Sequence, residues 1–129
     1  MNNLFLKAAA FLGALSVALG AFGSHGLKKI LSTELLAIFE TAVKYQFYHV
    51  FGLLAIGILY ITNPENSWLS LAGKCMIAGI TIFSGSLYLL CYAKQAMPSL
   101  AKIIGPITPI GGLCLIAGWV FLLLAIVKK

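Results

Sequence analysis

Four long apolar stretches, residues 4–22, 42–61, 68–92 and 103–127, decide what this chain can fold into. A helix rises 1.5 Å per residue, so about 20 apolar residues span the hydrocarbon core of a bilayer. The rest of the composition agrees: 61% of the 129 residues are hydrophobic and only 9% are charged. A soluble domain carries about 25% charged residues, and a small one leaves much of its surface exposed. The bilayer must therefore be the solvent for most of this chain.

One stretch departs from the pattern. Residues 20–52 hold both histidines, two of the three carboxylates and three of the nine lysines. Polar groups gathered between two spans are costly unless they serve solubility, topology or a site.

Read in order, the chain predicts helices over about 4–23, 33–61, 68–92 and 103–127. The first is taken as a retained span, although Ala21-Phe22-Gly23 loosely resembles a signal-peptide cleavage site. Ala10, Ala14 and Ala18 form a small-residue stripe that would let another helix approach closely. Gly20, Gly23 and Gly26 are expected to loosen the chain after it. Ser32 is a candidate N-cap with Glu34 in the first turn, where the helix dipole favours a carboxylate. Leu35, Ile38 and Phe39 then share a face, which predicts an amphipathic lead-in to the second span, with Glu40 and Lys44 spaced as an i, i+4 pair. Asn63-Pro64-Glu65-Asn66-Ser67 reads as a turn. Lys74 lies close enough to the start of the third span to snorkel. Residues 94–102, with Pro98, read as a short loop, and Pro106 and Pro109 suit the first turns of the last helix.

The expected fold is an all-α integral membrane four-helix antiparallel bundle, a single domain over 1–129, with a short amphipathic lead-in before helix 2. An even number of spans puts both termini on one side. Lys7, Lys74, Lys128 and Lys129 fall on that side, and Lys28, Lys29, Lys44, Lys94 and Lys102 on the other, here called the lysine side. Counting positive charge, by a margin of one lysine, places the lysine side in the cytoplasm and both termini outside. The net charge of +6 is scattered and contains no basic stripe, so no nucleic acid partner is expected. Cys75, Cys91 and Cys114 are far apart in apolar runs and read as small buried hydrophobes.

Counting inward from the lysine side puts His49, Ser86 and Thr108 about 5–10 Å below it. Antiparallel helices would thus bring His25, Tyr45, His49, Ser84, Ser86, Tyr88 and Thr108 to one shallow polar layer. Such a layer either locks helix packing or forms a small pocket opening to the lysine side. Two histidines at one depth invite a haem or metal, but neither has a carboxylate or cysteine at ligand spacing, and no metal or other cofactor is expected. Ser84-Gly85-Ser86 lacks a GxSxG elbow and an aspartate to complete a triad. Gly79 and Gly85 are expected to serve close helix packing.

Four segments carry a resemblance: Gly20-Ala-Phe-Gly-Ser-His-Gly-Leu27, Thr41-Ala-Val-Lys-Tyr-Gln-Phe-Tyr-His49, Phe83-Ser-Gly-Ser-Leu-Tyr88 and Gly105-Pro-Ile-Thr-Pro-Ile-Gly-Gly112. In this order and spacing, over essentially the whole chain, they resemble the domain-of-unknown-function 423 family, YgdD-like small membrane proteins of bacteria with relatives in eukaryotes. The resemblance implies a four-pass inner-membrane protein and makes His25, His49, Ser84, Ser86, Tyr88, Thr108 and Pro109 family motif positions. It implies no activity. The expected function is therefore non-enzymatic: a bundle in the lipid bilayer whose polar layer binds a lipid or quinone-like small hydrophobic molecule, a second copy of the chain, or a helix of a partner membrane protein. The alternatives are an oligomeric small-molecule or ion transporter or channel, and a membrane enzyme or redox protein using the histidines.

Overall fold

Helix caps and prolines cut the apolar pattern into five helices in the computed structural model, which describes residues 3–128. These are α1 (Leu4–His25), α2 (Thr33–Thr62), α3 (Ser67–Ala96), α4 (Pro98–Ile104) and α5 (Ile107–Val127), with a 3-10 turn at Leu27–Lys29. Four stretches are long and apolar enough to cross a membrane: Leu4–Lys29, Thr33–Thr62, Ser67–Ala96 and Pro98–Val127. The described residues contain no strand.

The expected Ser32 cap forms, and Asn66 at the end of the expected turn supplies a second. Ser32 Oγ accepts from the Leu35 backbone N–H at 3.2 Å, opening α2, and Asn66 Oδ1 accepts from Trp68 and Leu69, opening α3. Because Ser32 caps a helix that runs unbroken to Thr62, the amphipathic lead-in is the first turns of α2 itself. At 1.5 Å per residue, the 30 residues of α2 and the 30 of α3 exceed a hydrocarbon core of about 30 Å, so their lysine-side turns reach the interface or the helices tilt.

Three local expectations are corrected. Residues 94–102 are mostly helical: α3 continues to Ala96, and Pro98 stands at the start of α4, where its missing N–H costs nothing. The glycines after the first span do not loosen it, because α1 continues through Gly20 and Gly23 to His25. Gly23 makes room instead, since a Cβ there would stand 2.8 Å from the Phe39 ring. And the Ala10, Ala14 and Ala18 stripe faces outward; α1 packs through Ala9, Ser16 and Gly23.

The long helices pack chiefly on their neighbours in the chain: α1 on α2, α2 on α3, and α5 on α3. The terminal half holds the apolar core, in which Leu53, Ile56, Ala72 and Met76 are fully buried. Lipid tails are as apolar as these side chains, so helices associate here by close fit rather than by escape from water. The tightest fit is at Gly111, where any Cβ would collide with the backbone of Phe83, so α3 and α5 meet main chain to main chain. Gly79 admits Leu115 similarly, whereas a Cβ at Gly85 would meet nothing within 4 Å, so that glycine serves no close packing.

Candidate functional site

Rungs between neighbouring helices fix the depth of every polar group. Ser84 Oγ donates to the Ala42 carbonyl at 2.7 Å, Cys91 Sγ to the Leu35 carbonyl at 3.3 Å, and Gly52 lies against Met76. Together they set α2 against α3 in one antiparallel register, in which His49 is level with about residue 78 of α3. His49 is therefore about 12 Å nearer the terminal side than Ser86. The expected single layer is a staircase descending from Tyr88 to His49.

The steps also face different neighbours. Ser84 is turned to α2. Ser86 is turned to α5, where its Oγ lies 2.6 Å from Thr108 Oγ1. Because the Ser86 hydroxyl donates to the Phe83 carbonyl at 2.8 Å, Thr108 is the donor in that pair. Tyr88 donates to Gln46 Oε1 at 2.6 Å, and Gln46 Nε2 donates across to the Leu12 carbonyl of α1 at 3.2 Å. Ser16 Oγ donates to the same carbonyl at 2.7 Å. Tyr88, Gln46 and Leu12 thus clasp α3, α2 and α1 together.

His49 is buried. Its Nδ1 is 2.6 Å from the Tyr45 carbonyl, which can only accept, so Nδ1 carries the proton. Its ring is stacked on Tyr45 and lies 5.7 Å from the Trp119 ring of α5. Tyr45 is itself part exposed and packs on Phe83. His25 stands apart, exposed in the last turn of α1. Structure and expectation therefore agree on Ser86 with Thr108 and on Tyr45 with His49; they part over His25 and over one shared depth.

Ser84, Ser86 and Tyr88 all donate to partners within the protein. Among the described residues, no three His, Cys, Asp or Glu side chains come together as a metal-binding group. The surface ion pair joins Lys94 to Glu34 at 3.5 Å, across α3 and α2, in place of the expected Glu40 with Lys44.

One open space lies above the staircase; others lie at the 62–68 turn, about 520 Å³, and along α1 and α2 past Gly13 and Val50, about 390 Å³. Residues after Gly26 fold back over the lysine-side end, and Leu27, Ile30 and Leu31 roof a cleft of about 400 Å³ whose other walls include Phe39, Tyr88 and Tyr92. That volume is within the range of small-molecule sites, about 300–1,000 Å³. Beyond Phe39 a smaller cleft of about 240 Å³ runs between α1 and α2 past Gly20, Ser24, Glu40 and Lys44. At the other end, the turn at 63–66 is tied down by Asn66, whose Nδ2 donates to the Ala125 carbonyl at 3.3 Å.

Sequence reasoning missed Gln46, Ser16 and the roof. Gln46 carried a readable signal: an amide inside an apolar span must find partners there. Ser16 and the roof carried none, since both depend on how α1 is rotated.

Comparison with known proteins agrees with this picture. The family model for a protein of unknown function, DUF423, matches residues 19–112. A UPF0382 membrane protein of Staphylococcus haemolyticus is 42% identical over 127 residues, covering 98% of this chain and 97% of that protein. The UPF0382 membrane protein YwdK of Bacillus subtilis is 37% identical over 98% of both chains. A UPF0382 membrane protein of the yeast Schizosaccharomyces pombe is 40% identical over 89% of this chain and 94% of its own. No solved structure matches the chain.

Proposed function

This chain belongs to the DUF423 family, and for its membrane bundle we propose a non-enzymatic role: holding the apolar chain of a lipid or quinone-like molecule in the lysine-side cleft. The observation that carries the reading is the cleft itself. It is roofed by Leu27, Ile30 and Leu31 and walled by aromatic rings. The polar staircase below is its floor and frame, because its hydroxyls are already bonded within the protein. The burial of Leu53, Ile56 and Met76 in the terminal half favours binding over transport through one copy. The site belongs, in this reading, to the bacterial cytoplasmic membrane, with the lysine side facing the cytoplasm and both termini outside.

Native mass spectrometry of protein released gently from its membrane tests this. The expected result is a retained lipid or quinone mass that disappears in Ile30→Trp, which fills the cleft from its roof. Bare wild-type protein under conditions that preserve other lipid adducts would remove the reading.

A further inference from the structure

The cleft has a charged mouth. Lys28 and Lys29 sit in the 3-10 turn between the roofing residues Leu27 and Ile30, and Lys94 follows Cys91 and Tyr92 on the opposite wall; all three lysines are exposed. The same face carries Lys44 and Lys102 against the carboxylates Glu34 and Glu40 alone. Among the described residues the one salt bridge is Lys94 with Glu34, both exposed, so Lys28 and Lys29 have no acidic partner. An exposed pair of that kind is weak and easily exchanged.

We infer that the occupant of the cleft is an anionic phospholipid: one acyl chain lies between the roof and the rings of Phe39, Tyr88 and Tyr92, and the phosphate is met by Lys28 and Lys29, with Lys94 on the far lip. This rests on the chain-binding reading above and adds the head group. The argument is one of complementarity. The cleft is nearly all apolar, with Gln95 its one amide, so it offers far more contact to a hydrocarbon chain than recognition to a polar ring. Recognition is left to the mouth, which is cationic. An uncharged quinone would leave those lysines unused, and a choline head group would set its own positive charge among them. An anionic phosphate joined to an acyl chain satisfies both parts, with its charge held at the membrane surface where basic side chains attract anionic lipid.

The full-length protein in bilayer discs of equal phosphatidylglycerol and phosphatidylcholine, with matched acyl chains, provides the test, read by native mass spectrometry of the lipids that stay bound. Retained phosphatidylglycerol should exceed phosphatidylcholine by about tenfold, the effect of one to two basic groups near the surface. K28Q/K29Q should bring the two within about twofold of each other, while K44Q/K102Q, which removes two charges from the same face away from this cleft, should leave the preference intact. These four side chains are exposed and lie outside the core, and an unchanged thermal midpoint confirms that each variant is folded. Lipid retained with no head-group preference would overturn the anionic assignment and leave the chain-binding cleft standing. A preference lost in K44Q/K102Q but kept in K28Q/K29Q would overturn the placement at this mouth. Wild-type protein that retains neither lipid would overturn both readings.

Discussion

The two halves of the bundle are held together differently. The terminal half is knitted by shape: Phe5 lies over Gly73, Leu115 over Gly79, and Met76 against Gly118, around an apolar core. The lysine half adds polar clasps to its close fits at Gly23 and Gly111: Ser84 on Ala42, Ser86 on Thr108, and Tyr88 on Gln46. Within a bilayer these are two of the means of helix association, since burial from water supplies none. The difference matters for function. Clasps hold helices at fixed points and can leave an apolar space between them. The large cleft beside Tyr88 lies in the half that uses clasps.

The contrast can be broken by mutation, and the largest effect is expected at Gly111. Gly111→Leu drives a side chain into the Phe83 backbone, separates α3 from α5, and should cost about 3 kcal/mol or more. A thermal midpoint in detergent near that of wild type would mean that the two helices are not in main-chain contact. The clasps should cost less. Tyr88→Phe and Gln46→Leu should each lose about 1 kcal/mol, since each leaves the other polar group without its partner. Their combination should cost less than the sum, because it removes both ends of one bond. Strict additivity in chemical or thermal unfolding would show that they are not partners. The smallest effect belongs to Glu34→Gln, which removes an exposed pair and should shift stability by no more than about 0.5 kcal/mol at any salt concentration.

Much of the architecture was legible before the structure: the spans, the Ser32 cap, and the turn at 63–67, because each depends on local composition or backbone chemistry. Depth was not. The expected helix 33–61 matches α2, but depth counted from the edge of the apolar run at residue 42 ignores the turns that precede it on the same axis. That error set His49 beside Ser86. Rotation was not legible either. Both Ala10-Ala14-Ala18 and Ala9-Gly13-Ser16 are small-residue faces of one helix, and only the Gln46 amide reaching Leu12 shows which is used. A polar residue's partner lies on another helix, outside the reach of any sequence window.

Neighbour-to-neighbour packing has a consequence for how the molecule is made. As α1 packs on α2, α2 on α3 and α5 on α3, every major interface joins segments that emerge from the ribosome in succession. Each hairpin can close as soon as its second helix enters the membrane, without waiting for a distant piece, and local pairing of this kind is the fast kind. The clasp from Tyr88 through Gln46 to Leu12 is then a later lock: it is complete only after the third span arrives, and it fastens the hairpin made one span earlier. Order of synthesis and order of assembly coincide in this fold.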